Sequence, residues 1–426
     1  MTTSQPAASQ PTLNDIDLTD MDRFAESFPH EWFTTLRREA PVWFHEPTPQ
    51  ILDGDGFWVV TKYDDVVTVS RDWQTYSSEK SPSRAGGGIM ISDASPEFGV
   101  GNMMLMMDPP KHTRYRKIVM SAFTPRVLKL FEATIKRRAA EIVDAVCEQG
   151  SCDFVNEIAA ELPLQAIAEI LGVPNDDRKK LFDWTNSMVG STDPEYVVAD
   201  TDIANAQVEM FTYANELAVE KRARPTDDIV TAILNAEVDG ERLDELEFDL
   251  FFMLLTVAGN ETTRNAITHG MMAFFEHPDQ WKRLHADRSL MSTAVDEIVR
   301  WASPVIYFRR SVTRDTELRG QKIKEGDKVT IWYPSANRDE DVFPDPFTFD
   351  VGRTPNDHLG FGGRGPHFCL GSNLAKMEMS AIYNELLDRM PDLAYAGPTD
   401  RLRSNFINGI KRIPVTFTPS KPVLTG

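Results

Sequence analysis

Residues 358–372 read HLGFGGRGPHFCLGS, and this stretch decides how the rest of the chain is understood. Four glycines and a proline precede the sulfur, and they hold Phe361, Arg364, His367 and Cys369 in a turn too tight for regular structure. The segment LGSNLAKMEMSAIYNELLDRM then continues with helical periodicity. A cysteine just before a helix N-terminus, in a loop rich in backbone N–H donors, has its thiolate stabilised by those dipoles and can serve as a strong anionic ligand. An arbitrary loop cysteine is a small buried hydrophobe, but here the spacing favours the ligand. The same stretch holds a decoy: Gly360, Gly362 and Gly365 spell G-x-G-x-x-G, with Glu385 near the offset of a ribose-binding acid. The preceding VGRTPNDHL is polar and proline-bearing where a buried strand is required, so the dinucleotide reading fails on context.

The run FGGRGPHFCLG resembles the haem-binding loop of the cytochrome P-450 superfamily, in which a single cysteine thiolate is the proximal ligand of haem iron. That resemblance implies haem b as cofactor and Cys369 as the axial ligand, with Phe361, His367 and Gly371 among the cofactor-binding residues. Thiolate pushes electron density through iron and favours O–O cleavage, which a neutral histidine does less well. Gly365 and Gly371 are expected to let backbone and aromatic groups approach the sulfur.

Further motifs stand in the order that this family uses. His112 and Arg116, in HTRYR, are four residues apart and share a helix face. Alone they read as a solvated basic face; beside the cysteine loop they resemble the clamp that neutralises haem propionates, to which the resemblance adds Arg309 and His367. A long helix is expected over Leu243–Glu276, and its centre, LTVAGNETTRNAITHG, carries Ala258-Gly259 followed by Glu261-Thr262. Glycine in a helix interior costs about 1 kcal/mol relative to alanine, so it invites a reason. One reason is tight helix packing; the other is the oxygen groove of the resembled family, where Thr262 donates toward O2 and Glu261 relays protons from solvent. Glu297 and Arg300 lie one turn apart and resemble that family's E-x-x-R pair, a buried lock needed for folding and haem retention. The segments ANRD at 336–339, FPDP at 343–346 and FING at 406–409 resemble its meander and the C-terminal turn that dips into the substrate pocket.

Composition bounds the reading. The chain has 426 residues, 41% apolar and 26% charged, with no low-complexity linker after the first dozen, so one large domain over 13–426 is expected behind a disordered tail at 1–12. A net charge of −20 argues against nucleic acid and anionic membranes as partners. The start lacks a basic region followed by an apolar one, and the strongest apolar run, Leu250–Gly259, is half a membrane span, so neither signal peptide nor anchor is expected. Cys147, Cys152 and Cys369 make no disulfide framework, which suits a reducing cytoplasm.

By the resemblance, the fold is mainly α with a smaller β region near the N-terminus, a triangular prism of helices around haem. The implied activity is monooxygenation of a C–H bond with O2. No reductase segment is apparent, so electrons are expected from a separate ferredoxin and its NAD(P)H-dependent reductase, with Arg364, Arg116, Lys117 and Lys376 as docking cations. AGNETTRNAITHG and EIVRWASPV resemble the actinobacterial group that oxidises terminal methyl groups of methyl-branched lipids and sterol side chains. Met103, Met106, Ala258, Val305, Ile306 and Phe406 are expected to line an apolar pocket for such a ligand. ω-Hydroxylation of methyl-branched or isoprenoid lipids is the first choice, and C26/C27 hydroxylation of cholesterol-like sterols the second. A haem-thiolate sensor or electron carrier is the reading from another class, and it leaves Glu261-Thr262 without a use.

Overall fold

The helix Glu245–Glu276, 32 residues and about 48 Å long, runs through the structure and sets the position of everything else. It starts at Glu245 because Asp244 and Glu247 cap it reciprocally: Asp244 Oδ1 accepts from the Glu247 N–H at 2.8 Å, and Glu247 Oε2 accepts from the Asp244 N–H at 3.0 Å. Its apolar residues fall on every face, and Leu250, Phe252, Ile267 and Phe274 are all buried, so other elements surround it. Glu161–Leu171, Arg178–Val189, Asp202–Ala223, Met291–Ala302 and Ser372–Arg389 pack against it. The breaks between the covering helices fall where glycine and proline require them, at Gly150, Gly172 and Gly190 and after Ala223.

This computed structural model describes residues 11–94, 99–120, 123, 125–196, 202–226, 228–237, 240 and 242–424. The expected disordered tail therefore lies mostly outside the described residues. Its last two residues are tied down: Thr12 caps the turn Leu13–Asp15, and the Pro11 carbonyl accepts from Thr35 Oγ1 at 3.1 Å.

The β region is built from both ends of the chain. Val42–His45 pairs antiparallel with Phe57–Val60, which lies parallel to Lys328–Trp332; Tyr307–Val312 and then Tyr76–Ser77 complete the five-stranded sheet. Sequence periodicity suggests separate hairpins at the two ends, and the structure merges them. Pairing of strands so distant in the chain leaves no local signal.

The cysteine loop lies across the C-terminal end of the helix Tyr63–Arg71. A Cβ on Gly365 would stand 1.8 Å from the Ser70 carbonyl oxygen, and one on Gly363 2.0 Å from the Ser70 hydroxyl. The expectation that Gly365 serves approach to the sulfur is thus corrected: it is glycine because another backbone occupies the space of its side chain. At Gly371 a Cβ would meet nothing within 4 Å.

Candidate functional site

Cys369 sits where loop becomes helix. Its N–H donates to the Phe361 carbonyl at 2.9 Å, and the helix Ser372–Arg389 begins three residues on. Cys369 keeps accessible surface although protein surrounds it, so the residue borders an interior space. Burial pushes its thiol up, while the N–H groups of Gly371 and Ser372 and the Arg116 guanidinium pull it back toward thiolate. A bound metal cation would complete that deprotonation. The Phe361 ring lies beside the loop, 5.6 Å from the Lys376 ammonium.

Around the loop, hydrogen-bond donors gather, and among the described residues no acid forms an ion pair with them. The rings of His112 and His367 are 4.2 Å apart, and His112 Nδ1 and His367 Nε2 are buried without partners. Burial, with Arg116 and Arg310 next to it, lowers His112 to about 4; burial, then Arg310, His112 and Arg116, hold His367 well below its usual range. Arg116 Nη2 donates to the Phe368 carbonyl at 2.6 Å, and Arg310 Nη1 to the Arg309 carbonyl at 2.8 Å. Asp108 lies near enough to attract Arg310, but its oxygens are taken by the Ser77 hydroxyl and the Ser78 N–H. Two guanidinium and two imidazole groups around an enclosed space, without a bound acid, fit a ligand carrying carboxylates. Together with a cysteine bordering the same space, this donor set fits haem.

Arg309 is not part of that set. It is fully buried and paired with Asp93 at 2.6 Å, within a network that includes Arg84, Asp53 and Lys328. Side chains alternate along Tyr307–Val312, so adjacent arginines face opposite sides and Arg310 takes the place expected for Arg309. The signal was present in the parity: Phe308 and Val312 join one apolar cluster, Tyr307 another.

On the central helix, Ala258 is exposed to the interior, and the Thr262 hydroxyl donates to the Ala258 carbonyl at 2.8 Å. Gly259 is explained by packing, since its Cβ would lie 2.9 Å from Ile167. Glu261 points another way. It is 1% exposed, paired with Arg264, and its Oε1 accepts from Asn265 Nδ2 at 2.8 Å, while Oε2 has no partner. Arg264 Nη1 in turn donates to Asn186 Oδ1 at 3.1 Å, tying the acid to the covering helix Arg178–Val189. Neither Arg264 nor Asn186 stands out in the sequence, because their meeting spans 78 residues.

Glu297 and Arg300 are both fully buried and meet through two contacts of 2.7 Å. Arg300 Nη1 also donates to the carbonyls of Asn337 and Pro346 at 2.9 Å, and Glu297 accepts from the Asp350 N–H, Asn356 and Arg353. The pair fastens the helix Met291–Ala302 to the segment leading into the cysteine loop, where Asn337 Oδ1 accepts from the Leu359 N–H at 2.7 Å.

The expected apolar lining is brought together in part. Met103 is buried, with Leu250 of the central helix beside the same glycine, Gly99, and Met106 lies over Gly88. Val305 bridges to Ile407, and Phe406 packs on Tyr307 and Phe308 at 5.4 and 5.8 Å. Ile306 leaves the lining: it is 1% exposed in the core formed with Tyr307 and Trp332.

The helical prism and its enclosed thiol define a haem-thiolate monooxygenase. The cytochrome P450 family profile matches residues 55–390, and the chain belongs to that family. It is 47% identical over 412 residues to the steroid C26-monooxygenase of Mycobacterium tuberculosis (strain ATCC 25618 / H37Rv), covering 96% of this chain and 94% of the relative. The methyl-branched lipid omega-hydroxylase of the same strain is 45% identical over 416 residues, covering 95% of each. Among solved structures, a Mycobacterium marinum cytochrome P450 in complex with pseudoionone superposes with a TM-score of 0.88 at 39% identity, covering 98% of this chain and all of that one. The family implies a haem-iron cofactor, O2 and redox partners. Among the described residues, no helix is long and apolar enough to cross a membrane.

Proposed function

We propose that residues 13–426 form one cytoplasmic domain that hydroxylates the terminal methyl group of methyl-branched or isoprenoid lipids, with haem b held by Cys369 and electrons from a ferredoxin and its NAD(P)H-dependent reductase. The observation that carries this reading is Cys369, bordering an interior space, with His112, Arg116, Arg310 and His367 gathered beside it. Haem b supplies, when bound, activation of O2 and transfer of one oxygen atom into a C–H bond. The chain's own residues do the rest. Gly371 and Ser372 steady the charge on the sulfur through their N–H groups, and the four donors hold the propionates. Ala258 leaves room for a substrate methyl, and Met103, Met106, Val305 and Phe406 exclude water around an apolar chain. Thr262 Oγ1, on release from the Ala258 carbonyl, donates a proton into the cavity, and Glu261, once released from Arg264, turns toward it and carries the replacement proton from solvent.

A sterol substrate is the second reading, favoured by the identity to the steroid C26-monooxygenase. Titrating the ferric protein with a methyl-branched fatty acid and with a cholesterol-like sterol, while following the Soret band, separates the two. The branched lipid is expected to give the larger spin-state shift and a product oxidised at the terminal methyl; no shift with any branched lipid overturns the first choice.

Two substitutions test the residue roles. Arg310→Ala is expected to transfer haem to apomyoglobin roughly tenfold faster, as loss of a charge-assisted hydrogen bond implies, whereas Arg309→Ala should lower the denaturant midpoint and leave haem transfer unchanged. The reverse pattern would return the clamp to Arg309. Glu261→Gln is expected to slow reductase-driven turnover on the order of a hundredfold and raise its solvent isotope effect, as removal of a general acid does. Turnover and isotope effect both unchanged would remove Glu261 from proton delivery.

A further inference from the structure

Two turns beyond Thr262 on the same face of the central helix, about 10 Å along its axis, a second group of cations converges. His269 Nε2 meets the Asn408 carbonyl at 2.9 Å, and Arg401 Nη2 donates to the Asn408 side-chain oxygen at 2.7 Å. Asn408 Nδ2 donates in turn to the Ala302 carbonyl at 2.7 Å. One residue back, the Trp301 carbonyl accepts from Arg338 Nη2 at 3.0 Å, and the Arg338 guanidinium lies 4.8 Å from the indole centre. These contacts gather Arg338, Arg401 and His269 around the end of Met291–Ala302. His30, at the start of the helix His30–Glu39, faces the same group.

Arg338 is 2% exposed, yet its Nε and Nη1 have no hydrogen-bond partner, and neither does Arg401 Nε. Among the described residues no carboxylate lies within ion-pair distance of Arg338 or Arg401. Glu297 is occupied by Arg300 and Arg353, Glu340 by Arg37, and Glu276 attracts Arg401 only from farther off. Burial, with Arg401 and Arg338 near it, lowers His269 to about 3, and burial lowers Arg401 to about 10 against the attraction of Glu276. His30, His269 and Arg401 nevertheless keep part of their surface accessible although protein surrounds them.

An unpaired guanidinium is costly to bury, and its forked donors match the oxygens of a phosphate or sulfate. We propose that Arg338, Arg401, His30 and His269 form a binding site for a small inorganic oxyanion of the phosphate or sulfate type, separate from the cysteine cavity. The occupant would join four chain segments: the central helix through His269, the helix His30–Glu39 through His30, the segment after Lys328–Trp332 through Arg338 and the strand Asp400–Arg401 through Arg401.

Calorimetric titration of the ferric holoprotein with inorganic phosphate, and separately with sulfate, tests this at fixed ionic strength in a zwitterionic buffer. The wild type is expected to show one saturable site at low-millimolar or tighter affinity, with a melting temperature that rises as the site fills. General salting effects do not saturate in that range. Arg401→Gln and His30→Gln, chosen because both side chains are only partly buried, should each weaken binding by roughly tenfold or more while retaining haem. The site is overturned if neither anion binds saturably to the wild type, or if both variants bind as tightly as the wild type does.

Discussion

Arg300→Ala is expected to yield little or no haem-loaded protein. The guanidinium and the Glu297 carboxylate are both fully buried; Arg300 also donates to several backbone carbonyls of the segment before the cysteine loop, and Glu297 accepts from the Asp350 N–H and the side chains of Arg353 and Asn356. Removing one partner leaves an unpaired buried charge, which costs about 3–5 kcal/mol. A domain has about 5–15 kcal/mol to lose in total. The damage falls on the haem side because Asn337, whose carbonyl accepts from Arg300, also holds the Leu359 N–H at the entrance to the loop. Glu297→Ala should behave alike, and Arg300→Lys should not rescue, since one ammonium cannot make the paired contacts of the guanidinium. Haem content and denaturant midpoint are the measurements. A wild-type midpoint in Arg300→Ala would contradict a structural role.

Cys369→Ser is expected to abolish reductase-driven hydroxylation. Serine keeps the loop geometry, including the backbone bond to the Phe361 carbonyl, but its hydroxyl is a far weaker anionic donor. The folded protein should therefore remain, with its absorption displaced from the thiolate type and product formation lost. Unaltered product yield from a variant with an unaltered spectrum would remove Cys369 from the centre of the site.

Much of this was legible in the sequence because the chemistry is concentrated in short stretches. The cysteine loop, the pair Glu297 and Arg300, and the run around Glu261 and Thr262 each keep their meaning within a few residues. The central helix, expected over Leu243–Glu276, starts at Glu245 because Asp244 caps it, and that start was not read. What else escaped reading depended on strand phase or on distant encounters. Arg309 and Arg310 are chemically identical in sequence, and only the alternation along Tyr307–Val312 sends one to Asp93 and the other toward His367. Just before that strand, Ile306 is buried in one core with Tyr307 and Trp332 while Val305 bridges to Ile407, a split that strand alternation does not give. Gly365 drew attention as a neighbour of the sulfur, yet Ser70, on a helix some three hundred residues earlier, is what requires it. Arg264 and Asn186 gain significance only once the covering helix is laid over the central one.

The central claim is that an anionic sulfur from Cys369 is the sole protein ligand behind the haem iron. The most direct measurement is the absorption spectrum of the purified protein reduced with dithionite under carbon monoxide. A Soret band at the position specific to thiolate ligation is the expected result. A band at the position given by histidine ligation, in protein that is folded and haem-replete, would contradict it.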